Sequence, residues 1–358
     1  MNAYLWSAFV AAVAGVLGYF RVIPGAYELF TKFDRAAGTF KDPNVFGPFL
    51  VPALLYAIHL WLNRPVFRAA VPLAMTAFLT FGILLSFSRG AWFNLALSLA
   101  AFGVLSLATA RTNLGRIKIF LAAVFSVFGL IAVMVVALQF DEVTKLLEQR
   151  ASLDQSYDYG LEGRFGGQAK ALALVIANPF GIGAREFGAT HHPEDVHNVY
   201  LSMMLNAGWA GGFVYLAIVV ITLAAGVPFL FRRTAGQDWF IIVWSCLLGV
   251  SLEGLVIDTD HWRHSYLLMG LLWGLMIAYH PGRHAAVDTL AEIARMRDRS
   301  NVRAAAAIPP PAQASMRPIL LLPAPVPFDR LTRLTRRLRT ARRLRLGRRL
   351  AARPALLH

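Results

Sequence analysis

The sequence contains eight stretches of mostly apolar residues, and most of them are about as long as the helix that a lipid bilayer requires. A bilayer's hydrocarbon core is about 30 Å thick, so a spanning helix needs roughly 20 apolar residues. With 57% hydrophobic and 15% charged residues, the composition is not that of a soluble globular protein. We therefore predict an all-α integral membrane protein, in which the first stretch is a spanning helix and not a cleaved signal peptide. The predicted spans are Tyr4–Phe20, Gly47–Leu62, Ala70–Phe87, Ala91–Ala110, Ile119–Phe140, Val199–Phe231, Phe240–Val256 and Ser265–His280.

The arginines and lysines of the short connections predict which side of the membrane each connection faces. Basic residues concentrate in Asn63–Arg68, Arg111–Lys118 and Arg232–Trp239, and such short basic connections stay cytoplasmic. Both termini are then cytoplasmic as well. The other connections face outward, and they hold every unusual polar cluster of the membrane domain. They are Arg21–Phe46, the turn Ser88–Gly90, the long loop Asp141–His197, and Asp258–His264.

Composition divides the chain into a membrane domain, residues 1–280, and a cytoplasmic segment, residues 281–358. Of the formal net charge of +15, the segment from Arg283 onward carries +13, with 17 Arg/Lys against 4 Asp/Glu. A linker rich in Ala and Pro precedes an Arg-rich tail. The tail is expected to bind the anionic inner leaflet as a basic helix, or to remain solvated and reinforce the topology. The basic charge therefore does not indicate a nucleic-acid-binding domain.

Three arginines in the outward connections are candidates for binding an anion: Arg89, Arg164 and Arg185. The planar guanidinium group presents a fork of donors that suits phosphate oxygens, so converging arginines could hold a pyrophosphate. Arg89 could instead be an interfacial anchor whose side chain snorkels to water. The loop arginines could instead pair with Glu162 or Glu186.

The residues after Arg164 show a helical apolar pattern that is too short to cross a bilayer. We expect a re-entrant or interfacial helix there, ended by a tight turn at Pro179–Gly183.

His197 lies where the long loop meets the next span, and a histidine there could orient or deprotonate an attacking hydroxyl. The alternative is a capping or interfacial histidine, and we expect Asp195 to cap the following helix. Together with His191, His192 and Glu194, His197 also raises the possibility of a zinc site. Their spacing lacks the helical pair that the common hydrolase site needs, so we predict no metal and no cofactor.

The last outward connection, Asp258–His264, forms a second polar cluster that includes Asp260 and His261. This cluster could close over the site, hold an acceptor sugar or cap the last two helices. Glu253 is costly in contact with lipid, so we expect its side chain to face a polar cavity.

Four motifs in this order resemble the O-antigen ligase and polymerase superfamily of bacterial envelope polysaccharide enzymes. They are GTFKDPNVFG (Gly38–Gly47), SFSRGAWF (Ser86–Phe93), GRFGGQAKALALVIANPFGIG (Gly163–Gly183) and HNVYLSMMLNAGWAGG (His197–Gly212). The resemblance implies a metal-independent glycosyltransferase of the bacterial inner membrane. Such an enzyme moves a glycan from an undecaprenyl pyrophosphate carrier to an acceptor hydroxyl at the periplasmic face.

The resemblance also implies roles for individual residues. Arg89 and Arg164 match the family's arginines and would bind the donor pyrophosphate, while His197 matches its histidine and would act on the acceptor hydroxyl. Further substrate contacts are assigned to Arg185, Asn44, Asn198, Asp260 and His261. The acceptor stays open between a growing glycan, a lipid A core and a protein side chain, and so does the choice between ligase and polymerase. A transporter or flippase of lipid-linked precursors is the alternative function, and it would place polar residues at mid-depth in the spans.

Overall fold

The computed structural model describes residues 1–139, 144, 160 and 163–280, and nearly all of its regular structure is helical. This confirms the predicted all-α class. The helices are α1 (Asn2–Tyr19), α2 (Ala26–Phe30), α3 (Pro43–Asn63), α4 (Val66–Leu85), α5 (Arg89–Thr109), α6 (Asn113–Ala137), α7 (Arg164–Ala177), α8 (Val199–Leu230), α9 (Gln237–Glu253) and α10 (Arg263–Ala278). A π-helix spans Phe187–His191. The predicted cytoplasmic segment, residues 281–358, lies outside the described residues, as does most of 140–162.

Within the part of the chain that the structure describes, five helices are long and apolar enough to cross a membrane: α1, α3, α4 from Arg68 onward, α5 and α8. The count of eight spans is therefore not established, although a helix coincides with each predicted stretch. Helices α9 and α10 have 17 and 16 residues, which is short for a span. Helix α6 has 25 residues, and many of its apolar side chains are exposed, as expected of a surface that contacts lipid.

The polar interval before α3 contains structure that the sequence did not predict. Helix α2 leads into a two-stranded antiparallel hairpin, β1 (Thr31–Lys32) and β2 (Arg35–Ala36). Helix α3 then begins at Pro43, where proline is tolerated because the first turn lacks helical partners for its N–H groups. The Asp42 carboxylate caps it by accepting the Asn44 N–H at 2.7 Å.

Helix α3 lies at the centre of the bundle, in contact with α1, α4, α5 and α9. Helix α9 also packs along α5, and α7 packs against α8. The start of α3, the turn between α4 and α5, the start of α8 and the end of α9 all meet at one end of the bundle. We call it the site end.

Helix α8 is broken at Gly208, whose φ of 71° and ψ of −179° are not helical. The turn that follows α7 fills the break. There, the Trp209 N–H donates to the Pro179 carbonyl at 2.9 Å, and the Ile182 N–H donates to the Leu205 carbonyl at 2.8 Å. Two of the backbone groups near the break, the Leu205 carbonyl and the Trp209 N–H, are thus paired, which an apolar environment favours.

Candidate functional site

His197 is held by hydrogen bonds to both of its backbone polar groups. Its N–H donates to Asp258 Oδ2 at 2.9 Å, and its carbonyl accepts from Gln168 Nε2 at 3.0 Å. The residue has a φ of 52°, in the left-handed region that non-glycine residues seldom adopt. The two bonds compensate for this conformation and fix the direction in which the imidazole leaves the backbone. Its side chain is one-quarter exposed, with Nε2 3.4 Å from Glu194 Oε2.

Arg164 is the first residue of α7, one helical turn before Gln168. Residues four apart lie on the same helix face, so Arg164 and the bond to His197 share one side of α7. The same helix packs closely on the loop that leads into α8, since a Cβ on Gly167 would lie 2.9 Å from the His192 ring. The expected short helix and its Arg164 therefore adjoin the start of α8.

Arg89 is the first residue of α5, so the turn after α4 consists of Ser86, Phe87 and Ser88 and lies two residues earlier in the chain than predicted. Ser88 caps this helix by accepting the Ala91 N–H at 3.2 Å. The next residue, Gly90, faces α9, where an added Cβ would lie 2.8 Å from Glu253 Oε1.

Glu253 connects the Arg89 turn with the start of α8. Its carboxylate is fully buried and accepts from Asn94 Nδ2 at 2.8 Å, so the residue faces α5 and not the expected cavity. The neighbouring Gly254 carbonyl accepts the Val199 N–H at 2.9 Å. Arg89 and His197 are thus anchored on the same end of α9.

Arg35 is a buried arginine at the site end that the sequence reasoning did not select. It is only 6% exposed, and it donates to the Ser86 carbonyl at 2.7 Å and to Asn44 Oδ1 at 2.8 Å. These bonds tie the hairpin and the start of α3 to the turn that carries Arg89. The burial of Arg35 is apparent only from the fold, because the polar interval around it has the sequence of a solvent-exposed loop.

The remaining predicted substrate residues have different settings. Asn44 binds Arg35, as above, and Asn198 caps α8 by accepting the Tyr200 and Leu201 N–H groups at 3.1 and 3.2 Å. The expectation that Asp195 caps this helix was wrong, because Asn198 is the residue next to the first helical turn. Arg185 is exposed in a left-handed conformation just before the π-helix.

Asp258, Asp260 and His261 form a charged group beside His197. Burial raises the pKa of Asp258, and nearby His197 opposes that shift. His261 Nδ1 lies 3.2 Å from Asp260 Oδ1, and this contact raises the pKa of His261 and lowers that of Asp260. Asp42 adds to the shift of His261, so the last outward connection lies near the start of α3.

The pair of Asp260 and His261 is expected to stabilise the fold only over a limited pH range. Because the pKa of His261 is raised in the folded state, its contribution to the free energy of unfolding is complete below the pKa of the unfolded state, about 6.5. This contribution is lost as pH rises through the pKa of the folded state. The lowered pKa of Asp260 means that its contribution is lost when pH falls through the folded value of that group. Because His261 is largely exposed, the effect should be below about 1 kcal/mol.

Thermal unfolding of the detergent-solubilised protein and of His261→Gln tests this expectation. The variant should unfold slightly earlier at pH 5.5 and at the same temperature as the wild type at pH 8.5. An equal difference at both pH values would contradict an ionic contribution.

The described ranges contain no group of three or more His, Cys, Asp or Glu side chains arranged to hold a metal ion. Of the four residues that suggested zinc, His192 is buried and stacks on Phe187 with ring centroids 5.6 Å apart. The His191 carbonyl accepts from Lys170, and Glu194 faces His197. These residues serve to shape the loop.

The comparisons with known proteins give one match. Residues 74–216 match the family model described as O-antigen ligase. This range includes Arg89, Arg164 and His197, whereas Arg35, Asn44 and the connection from Asp258 lie outside it. No curated protein and no solved structure matches the chain significantly.

Proposed function

We propose that this protein, whose residues 74–216 match the O-antigen ligase family model, is a membrane glycosyltransferase of the O-antigen ligase and polymerase superfamily and acts at the site end. The donor is a glycan on undecaprenyl pyrophosphate, and the acceptor is the hydroxyl of a glycan or of a lipid A core. The protein lies in the bacterial inner membrane, with the site end on the periplasmic side and both termini in the cytoplasm. The observation that supports the proposal is the pair of hydrogen bonds from Gln168 and to Asp258 that hold the His197 backbone, which we call the clamp on His197. It lies next to the first turn of α7, which carries Arg164.

In the reaction, the acceptor oxygen attacks the anomeric carbon, and the bond from that carbon to the carrier pyrophosphate breaks. His197 takes the proton of the acceptor hydroxyl. Glu194, 3.4 Å from the imidazole, stabilises the cation that forms. Arg89 and Arg164 stabilise the charge that develops on the departing pyrophosphate, so the mechanism needs no metal.

The remaining candidate residues support the two substrates. Arg185 is exposed and available to the glycan or pyrophosphate, and Asp260 and His261 present hydrogen-bonding groups to the acceptor. Asn44 and Asn198 act mainly through the backbone and side-chain bonds that hold the site in place.

Purified protein in lipid nanodiscs, supplied with carrier-linked glycan and acceptor, tests this function. The expected result is a new glycosidic bond, detected by mass spectrometry, that forms equally well with EDTA present. In proteoliposomes, movement of the donor across the bilayer without bond formation would identify the transporter alternative instead. In a deletion strain, single repeat units left on the carrier would indicate a polymerase, and long chains left on the carrier would indicate a ligase.

The clamp on His197 predicts how its two partners tolerate substitution. Asp258→Ala removes the acceptor for the His197 N–H, and Gln168→Glu replaces the donor to its carbonyl by an acceptor of the same shape. Each change should lower kcat about tenfold or more with little change in KM, because small misplacements of a catalytic group are costly.

The matched variant is Asp258→Asn, whose amide oxygen can still accept the backbone N–H, and it should retain most of the wild-type kcat. Initial rates at saturating donor measure the three variants. If Asp258→Asn loses as much activity as Asp258→Ala, the carboxylate acts by its charge and the positioning role is wrong.

A further inference from the structure

A polar cavity lies at the opposite end of the bundle from His197. It has a volume of about 590 Å³ and lies among the ends of α3 and α5 and the starts of α6 and α9. Its size falls within the range of small-molecule sites. The proposed transfer reaction uses none of its residues.

The charges around this cavity are mostly positive. Arg64, Arg111 and Lys118 line it, against the single carboxylate of Asp238. Among the residues that the structure describes, none of these three cations forms a salt bridge or a hydrogen bond. Three cations around one cavity repel each other, and an anion between them would relieve that repulsion.

A neutral donor adds to the preference for an anion. Thr112 lines the cavity, and its Oγ1 accepts the Gly115 N–H at 3.0 Å in the first turn of α6, which leaves its O–H to donate. Asn63 and Thr109 also line the cavity, but they already donate to the His59 and Leu105 carbonyls. Helix α6 is 25 residues long, and the positive end of its dipole points to the cavity. Arginine and lysine together with a helix start and a hydroxyl group form a set that suits a phosphate group.

An apolar stripe runs away from the cavity along the same face of α6. Leu114 lines the cavity, and Leu121, Phe125 and Phe128 continue its line at spacings of seven, four and three residues. All four side chains are between 45% and 63% exposed. Lys118 lies on this same face, so a cation stands at the head of an exposed apolar stripe.

We propose that this cavity binds the phosphate of an anionic phospholipid, with the acyl chains of the lipid lying along the α6 stripe. A free phosphate would use the cations and leave the stripe uncovered. A zwitterionic lipid would bring its own cation towards Arg64 and Arg111, which would repel it. The cations favour a phosphate on a headgroup with a net negative charge, and the apolar stripe favours acyl chains. An anionic phospholipid has both features.

Native mass spectrometry of the protein, with added phosphatidylglycerol or phosphatidylcholine, measures this binding. Lys118→Gln should weaken retention of phosphatidylglycerol about fivefold, since one basic residue near a lipid surface contributes about that factor. The variant with Arg64, Arg111 and Lys118 all changed to Gln should lose roughly a hundredfold. Phosphatidylcholine should bind more weakly than phosphatidylglycerol to the wild type and be affected little.

Arg116→Gln is the matched control, because Arg116 is exposed at the same end of α6 but on the opposite face and outside the cavity. It should weaken retention by less than twofold. Equal losses for Lys118→Gln and Arg116→Gln would overturn the proposal, since they would indicate attraction by overall charge. Displacement of phosphatidylglycerol by inorganic phosphate or glycerophosphate at equal concentration would also overturn it, in favour of a free-phosphate site.

Discussion

His197→Ala is expected to lower the rate of glycan transfer at least about 100-fold while the protein still accumulates in the membrane. A positioned acid or base usually contributes a factor of about 10² to 10⁴, and alanine removes the only group of the residue that can accept a proton. The backbone bonds to Gln168 and Asp258 do not involve the imidazole, so the loop should keep its conformation. Initial rates with purified protein, corrected for its amount, measure the effect.

His191→Ala is the matched control for this experiment. His191 belongs to the same loop, six residues earlier, and its described hydrogen bond uses the backbone carbonyl and not the ring. Its replacement should change the rate by less than about twofold. If the His197 variant retained more than half of the wild-type rate, His197 could not be the proton acceptor, and the arginines would have to account for catalysis alone.

Gly208→Ala is expected to destabilise the protein by about 3 kcal/mol or more. The backbone of Gly208 lies in a region that is essentially restricted to glycine, and strain there costs about 1–3 kcal/mol. An added Cβ would also lie 2.7 Å from the Pro179 carbonyl oxygen and 2.8 Å from the Phe180 carbonyl carbon. Both contacts are with backbone, which cannot rotate away, so overlap adds a further cost of about 1–3 kcal/mol.

Thermal unfolding in detergent measures the effect of this substitution. Gly270→Ala in α10 is the matched control, because a Cβ at Gly270 would meet no atom within 4 Å. That control should be neutral or slightly stabilising, since alanine favours a helix more than glycine does. Equal melting temperatures for the two variants would mean that α8 straightens at no cost and that the turn after α7 is not fixed to it.

Hydropathy alone was sufficient to predict the eight long apolar helices, because the requirement to cover about 30 Å of lipid leaves a strong signal in any sequence. The helix after Arg164 was also predictable from its periodicity, and Arg164 is indeed its first residue. The sequence could not predict the break at Gly208, since a glycine in an apolar run is equally typical of close helix packing. Asp195 and Asn198 are both of residue types that suit a helix cap, so residue type alone does not show which of them caps α8.

The arrangement around His197 was less accessible from the sequence. Its two backbone partners, Gln168 and Asp258, are 29 and 61 residues away, and neither belongs to a recognisable motif with it. The burial of Arg35 similarly depends on how a short hairpin folds onto the turn before α5. Sequence reasoning identifies residue types that suit a chemistry, whereas the contacts that orient them depend on which distant segments meet.

The break at Gly208 allows the two parts of α8 to have different roles, one in the site and one in spanning the membrane. The part from Trp209 to Leu230 rises roughly 33 Å, enough to cross the hydrocarbon by itself. The first part, from Val199 to Ala207, is held by the turn after α7 through Leu205 and by the end of α9 through Val199 and Tyr200, so its position does not depend on the tilt of the part that spans the membrane. In a thicker or thinner membrane, the spanning part can change its tilt while the imidazole keeps its place.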